Sequence, residues 1–239
     1  MPQIHRLYIP DVNMHVDCID VTGADAKIVS QVLRLQEGDR LTVLDGRGQV
    51  IETQIQNKVT KAVKLKKINQ QMLPKLSPSI QVSIGALKGD KSTWVLQKLT
   101  EIGVQRITFF DGDHSVAKTD KKKKTKYETT CVEALRQSGN PYLPEVDFYN
   151  SLSGCLDAHK DADIKICLHE KEASSHLSEC ADKKSLSFHV MIGPEGGFSE
   201  DEIHTMQNAG YQIVRCAPYV LRAETAAIYG ASFLRAMWN

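Results

Sequence analysis

This sequence predicts an α/β domain built on a mostly parallel sheet and preceded by a small β-barrel. Two observations carry that class. From Ser79 onward, apolar runs alternate with helical stretches, the rhythm of parallel strands joined by crossover helices. Before that point the chain carries short β-forming runs and only one helical candidate. The stretch "PKLSP", residues 74–78, reads as the linker, so the expected domains are 1–73 and 74–239.

In the first part, "RLYI", "DRLTVLDG" and "GQVIETQIQ" are strands, with Asp45-Gly46 and Arg47-Gly48 marking a hairpin turn. "VTKAVKLKKI" alternates apolar and basic residues as a half-exposed strand does, which puts lysines on one face. "ADAKIVSQVLRL" is the helical candidate, closed by the turn "QEGD". In the second part, "SIQVSIGAL" is a buried strand and "KSTWVLQKLTEIG" a helix. Trp94, Leu96 and Leu99 are expected to turn inward, and Gly103 suits the position just past the helix end. "VQRITFF" follows as a strand, then a helix opened by Asp120 with Tyr127, Cys131 and Leu135 on one side. The strands "IKICLH", "SFHVMI" and "YQIVRCA" and the helix "ETAAIYGASFLRAMW" complete the pattern. Ligands are expected at the carboxyl ends of such strands.

Composition narrows the possibilities. The 239 residues are 41% hydrophobic, enough for a substantial core. No stretch approaches the roughly 20 apolar residues of a membrane span, and the first residues lack a secretory pattern. The six cysteines lie at least 12 positions apart with no CxxC, which predicts free thiols in a reducing cytoplasm. The eight histidines form no HxH, HExxH or HxxxH spacing, so no metal site is expected. A net charge of +1 conceals asymmetry. From Thr53 to Gly89 there is no acid against seven lysines, and "KTDKKKKTK" places six lysines between Lys118 and Lys126. From Glu145 to Glu202, 13 acids face 5 bases, a balance of -8. Two readings of the lysines stand: a solvated surface, or a path for a polyanion.

The stretch "IGPEGGFSEDE", 192–202, joins a strand end to a helix that Ser199 caps, with Glu202 completing a capping box. A phosphate cradle there would want the Lys-Ser/Thr pair of the Walker motif or GxGxxG spacing, and neither is present. Instead Glu195, Glu200, Asp201 and Glu202 crowd the turn, opposing an anion and tolerating a neutral or cationic ligand. A second strand-to-helix join, "VLRAETAA", carries Arg222 and Glu224 just before a nearly continuous apolar helix.

These motifs resemble the bacterial 16S ribosomal RNA (uracil-N3) methyltransferases of the SPOUT class. The likeness spans essentially the whole chain through "HRLYI", "VLRLQEGD", "KGDKSTWVLQKLTEIGVQRI", "EALRQSG", "IGPEGGFSEDEI" and "VLRAETAAIYG", all in family order. It implies a PUA-like barrel that holds RNA and a trefoil-knotted α/β domain that binds S-adenosylmethionine and forms a homodimer. Three loops around the methyl donor are implied: Leu168, His169 and Glu170; Ile192, Gly193, Pro194, Glu195, Gly196 and Gly197; and the stretch from Cys216 through Leu221 and Glu224 to Thr225. Leu168, Ile192 and Leu221 would flank the adenine, and an acidic neighbourhood suits a sulfonium cation. The substrate implied is a uridine of 16S rRNA in the small ribosomal subunit, with no metal and no membrane.

For the methyl transfer, Arg222 could polarise a uracil carbonyl, or it could simply pair with Glu224. Gln137 and Ser138 of "RQSG" could hydrogen-bond the base, or cap a solvent-facing helix end. Arg6 and Arg34 match family arginines and are the expected RNA contacts, with Lys64 and Lys66 of the half-exposed strand. The chain departs from the family where Asn140-Pro141 follows "QSG", where His114 precedes "SV", and where Ala217 and Tyr219 occupy the third loop. Competing readings are a SPOUT enzyme for another RNA position and an inactive RNA-binding relative.

Overall fold

The computed structural model describes residues 4–13, 15–59, 62–170, 175–180 and 185–238. The chain divides into two compact units, one made of Met1–Lys75 with Leu135–Leu143, the other of Leu76–Ala134 with Pro144–Asn239. A single cut near residue 74 therefore misses the segment 135–143, which belongs with the first unit.

The first unit is a curled five-stranded sheet. Its strands are β1 (Arg6–Tyr8), β2 (Cys18–Thr22), β3 (Arg40–Leu44), β4 (Gln49–Val59) and β5 (Ala62–Met72), in the order β1-β3-β4-β5-β2. Only the β1–β3 pair is parallel. Shifts in register between Glu52 and Thr53 and between Ile55 and Asn57 bend the long β4–β5 ribbon. Alternation buries Leu41, Val43, Ile51, Ile55, Val63 and Leu65 on one face. Strand β2 went unread in the sequence, although Ile19 and Val21 alternate inward there. The predicted helix is shorter: α1 (Gly23–Lys27) passes into a wide π-turn over Ile28–Val32, and Arg34 ends it with φ 54.

The second unit is a seven-stranded sheet in which every pairing is parallel. It contains β6 (Ser79–Gly85), β7 (Arg106–Phe110), β8 (Glu145–Tyr149), β9 (Ile164–Leu168), β10 (Ser175–His176), β11 (Ser187–Ile192) and β12 (Gln212–Arg215). Their order is β10-β12-β9-β11-β6-β7-β8. The helices are α2 (Lys91–Ile102), α3 (Lys124–Ser138), α4 (Leu152–Ala158), α5 (Glu200–Asn208) and α6 (Ala223–Ala236); α3 also runs on into the first unit. Strands β8 and β10 and helix α4 were not anticipated.

Period-two alternation separates the two faces of this sheet. Cys167 and Met191 pack with Phe110, Leu156, Ile203 and Met206 under α4 and α5. Leu168 and Val190 face the other way, toward Gly230 of α6, where a Cβ would come within 2.9 Å of Leu168 Cδ1. Helix α6 lies over β6 and β11 beside α2. Arg235 near its end is buried and donates to the carbonyls of Pro78 and Gly103 at 3.1 and 3.0 Å. One inward expectation fails. Trp94 is 46% exposed, because the buried stripe of α2 runs through Ser92, Val95, Leu96 and Leu99. Residues 94 and 96 stand about 200° apart on a helix and cannot share one face.

Below the β11 face lies a polar seam. The rings of His159 and His189 stack 3.9 Å apart. His189 reaches Ser83 Oγ at 2.7 Å and Tyr211 OH at 2.6 Å; His159 reaches Thr108 Oγ1 at 3.0 Å and Gln81 Oε1 at 2.6 Å. Burial holds the His159 pKa down to about 4 and that of His189 well below its ordinary value. Both histidines are therefore neutral members of a satisfied core network.

Candidate active site

The carboxyl ends of β9, β11 and β12 open on one cavity of about 560 Å³, within the usual range for small-molecule sites. Each strand delivers a loop to it. Strand β9 ends in Leu168, and the His169 N–H is tied to Val214 O at 3.0 Å. Strand β11 leads into the glycine loop, where the Gly197 N–H donates to Pro194 O at 2.9 Å and closes a tight turn. Gly197 itself takes φ 73, a left-handed conformation glycine adopts without strain. Strand β12 ends in Arg215, whose guanidinium braces the next loop by donating to Ala217 O and Pro218 O at 3.0 and 2.6 Å.

Strand β6, adjacent to β11, supports this wall from behind. A Cβ on Gly85 would collide with the backbone nitrogen of Pro194, so only glycine lets the loop settle against the strand. A Cβ on Gly193 would come within 3.2 Å of the Phe198 ring.

The structure gathers Leu168, His169, Ile192, Gly193, Pro194, Glu195, Gly197, Cys216, Leu221, Arg222 and Glu224 around the cavity. Gly196 and Thr225 are not on its wall. Gly196 packs outward instead, where a Cβ would meet His114 Cβ at 2.8 Å. Gln137 is exposed and belongs to the unit that holds the five-stranded sheet, where its carbonyl accepts from Arg6 at 3.0 Å.

The electrostatics differ from the predicted crowd of four acids. Glu202 is buried and turned back on the fold, accepting from the Asp113 and Ser199 N–H groups at 3.0 Å each. Glu200 and Asp201 are exposed and off the wall. The wall carboxylates are Glu170, Glu195 and Glu224. Lys91, which sequence reasoning missed, stands between the last two, 3.0 Å from Glu195 Oε1 and 3.9 Å from Glu224 Oε2. Partial burial would raise the Glu195 carboxyl, but hydrogen bonds from Lys91 Nζ and the Lys88 N–H outweigh it and hold its pKa below the ordinary value. Glu224 is only 9% exposed, and its Oε2 has no hydrogen-bond partner among the described residues. Such an atom favours a ligand that brings a donor or positive charge.

Arg222 begins α6 and is exposed at the cavity rim. Among the described residues its side chain pairs with no carboxylate, Glu224 included, since Glu224 turns to Lys91. Phe198, Arg215 and Ala226 also line the cavity as chain neighbours of the predicted loops, whereas Lys91 comes from α2, which the strand order brings there. Arg34, Lys64 and Lys66 are exposed in the first unit. Lys61 lies outside the described residues. Arg6 is engaged at the end of α3, donating to the carbonyls of Arg136 and Gln137. Among the described residues no group of three or more His, Cys, Asp or Glu could hold a metal, and no helix is long and apolar enough to cross a membrane.

The parallel sheet with a cavity at its strand ends and the curled five-stranded sheet correspond to the two domains of an RNA methyltransferase. The model of the RNA methyltransferase domain matches residues 74–235, and that of the RNA methyltransferase PUA domain matches residues 29–68. Ribosomal RNA small subunit methyltransferase E 2 of Borreliella burgdorferi is 31% identical over 226 residues, covering 89% of this chain and 90% of its own. The corresponding methyltransferase E of Bacillus subtilis is 27% identical, over 89% of this chain and 87% of its own. A Legionella pneumophila methyltransferase solved with the cofactor SAM superimposes with a TM-score of 0.85 at 27% identity, over 98% of each chain. The chain belongs to the ribosomal RNA small subunit methyltransferase E family.

Proposed function

We propose that this protein methylates N3 of a uridine in 16S rRNA, using S-adenosylmethionine, on the assembled or assembling small ribosomal subunit in the cytoplasm. One observation carries the reading: a cavity at the ends of β9, β11 and β12 with apolar flanks from Leu168, Ile192 and Leu221 and a buried carboxylate oxygen on Glu224 that accepts no hydrogen bond among the described residues. That donor set fits a flat base joined to a cation far better than it fits a phosphate. When bound there, S-adenosylmethionine supplies an electrophilic methyl group on a positively charged sulfur.

The chain's own residues would divide the remaining work. Glu195, held ionised by Lys91, and the Glu224 carboxylate 3.9 Å from the same lysine make the wall hospitable to positive charge. Gly193, Pro194, Gly197, His169 and Cys216 would present backbone to the cofactor, while Gly196 abuts His114 outside the wall. Uracil N3 must shed its imide proton to become nucleophilic, and the charge then spreads onto the flanking carbonyl oxygens. Arg222, exposed at the rim and paired with no carboxylate among the described residues, would stabilise that charge. Arg34, Lys64 and Lys66 would hold RNA through phosphates, with Arg6 and Gln137 as nearby contacts of the same unit.

The return of the chain from β12 at one side to α6 over central β6 and β11 supports a trefoil knot threaded through 216–225. Tyr229 and Phe233 stack on the outer side of α6 with centroids 6.4 Å apart, and Tyr229 stays exposed. That apolar surface supports a homodimer through α6. The test is mass spectrometry of 16S rRNA nucleosides from a strain lacking this gene, with and without complementation. Loss and return of one 3-methyluridine is the expected result; an unchanged 16S profile would refute it.

A further inference from the structure

We propose that the lysine array from Lys118 to Lys126 is a phosphate track that leads an RNA strand to the cavity. It would be a second RNA-docking surface, carried by the methyltransferase unit itself. The inference rests on the reading of the cavity as an RNA methyltransferase site.

All six lysines of the array are exposed. They sit on an ordered scaffold: the Thr119 N–H donates to Asp111 Oδ1 at 2.6 Å, Asp120 Oδ1 accepts from the Lys122 N–H at 3.0 Å, and buried Tyr127 anchors the helix that follows. The acids nearby are already committed. Asp120 serves the backbone, Glu128 stands 3.9 Å from Lys124, and Asp90 stands 3.9 Å from Lys126. Among the described residues, Lys118, Lys121, Lys122 and Lys123 pair with no carboxylate.

The array is costly to the fold. Lysines fill the first turns of a helix that has no acid there, where the helix dipole disfavours positive charge. Solubility needs charge but not this sign at this place. A small anion would want convergent, buried donors, whereas exposed lysines gain little one by one. They gain collectively on a polyanion, through release of its condensed counterions.

The array is also joined to the cavity on two sides. Asp90, facing Lys126, directly precedes Lys91 of the cavity wall. The loop that leads to Lys118 packs on the glycine loop, since Ser199 Oγ donates to Asp113 Oδ2 at 2.6 Å and His114 abuts Gly196. A strand lying on the lysines is thereby led along structure continuous with the methyl-transfer site.

The experiment compares the full-length parent with two triple variants, Lys121→Gln/Lys122→Gln/Lys123→Gln and the same positions changed to Arg. Filter binding of transcribed 16S rRNA is measured between about 50 and about 200 mM salt, with S-adenosylmethionine affinity and melting temperature in parallel. The glutamine variant should bind RNA roughly tenfold or more weakly, with a log–log salt slope flatter by about 2 to 3. Its cofactor affinity should be unchanged, and the arginine variant should match the parent. Parental affinity and slope in the glutamine variant would overturn the track, and so would an equal loss in the arginine variant. Loss of binding to phosphatidylglycerol vesicles with RNA binding intact would assign the surface to membranes and also overturn it. If the parent binds no RNA, the proposed function falls with it; if the parent binds and methylates RNA while the glutamine variant matches it, only the track falls.

Discussion

Two strand-to-helix joins in the methyltransferase unit carry opposite charge, and they use it differently. After β11 the chain enters α5 in the electrostatically ordinary way. Ser199 and Glu202 form a capping box, and Glu200, Asp201 and Glu202 occupy the first turn, where negative charge complements the helix dipole. After β7 the chain enters its helix through four consecutive lysines, with Asp120 alone as cap. At α5 the charges serve the fold, and Glu202 even binds the neighbouring loop through the Asp113 N–H. At α3 they oppose the fold, and among the described residues Lys121, Lys122 and Lys123 pair with no carboxylate. A charge pattern that runs against helix physics is therefore a better guide to an external ligand than a charge pattern that agrees with it.

The largest expected effect tests the site between these joins. Arg222→Ala should reduce turnover on small-subunit RNA by about 10²- to 10³-fold, the scale for removing one donor to a developing oxyanion. Affinity for RNA and for S-adenosylmethionine should hold within about twofold. Steady-state kinetics with parallel binding assays separate the two, and full turnover would make Arg222 a bystander.

Next in size is Gly85→Ala, which attacks the glycine loop from behind. Overpacking a tight contact costs about 1–3 kcal/mol, and here the colliding atom is the Pro194 backbone nitrogen. S-adenosylmethionine affinity by calorimetry should fall roughly tenfold. Unchanged affinity would mean that the loop can shift without harm to the cavity.

A third prediction concerns acid. His159, with pKa held down to about 4 from 6.5, and His189, also held down, bind fewer protons folded than unfolded. Stability should therefore be full above about pH 6.5 and decline as pH falls toward 4, each unit of depressed pKa being worth about 1.4 kcal/mol. Urea denaturation at several pH values reads this directly. Replacing His189 with Gln should flatten the slope while lowering stability at neutral pH, and a parent with no decline between pH 6.5 and 4 would contradict the neutral, buried pair.

The smallest effect sharpens the comparison of the joins most directly. Lys121→Glu should raise stability by about 0.3–1 kcal/mol, and Glu200→Lys should lower it by a similar amount, each at low salt. Opposite signs from opposite charge reversals would show that only the α3 join sacrifices stability. Melting curves that moved the same way would remove that contrast.

Much of the fold was legible as local pattern. Parallel strands buried on both faces read as apolar runs, and "SIQVSIG", "ITFF", "KICL" and "SFHVMI" became β6, β7, β9 and β11. The capping box at Ser199 and Glu202 formed as its spacing predicted. Strand β2 escaped because its two inward residues, Ile19 and Val21, alternate with Cys18, Asp20 and Thr22 in a stretch only five residues long. Trp94 was misplaced because apolar character, taken without helical phase, does not say which way a side chain points.

The candidate site was legible as three loops but not as a cavity. Chemistry near a strand end can be read from neighbours in the chain, so Leu168, the 192–197 loop and the 216–224 stretch were available to sequence reasoning. Which strands adjoin is a long-range property. The position of β6 beside β11 brought Lys91 between Glu195 and Glu224, in place of the Arg222–Glu224 pair that was one of two readings, and made Gly85 the support of Pro194. Likewise His159 and His189 are 30 positions apart and carry no motif, yet adjacent elements stack them at 3.9 Å. Residue type, spacing and charge order are local quantities, and by themselves they determined the class of fold, the ends of most elements and the loops that matter. Only the tertiary structure decided which charges pair, which glycines bear contacts and which lysines stay free. Those outcomes depend on separations of a few ångströms between atoms far apart in sequence, and strand order sets them.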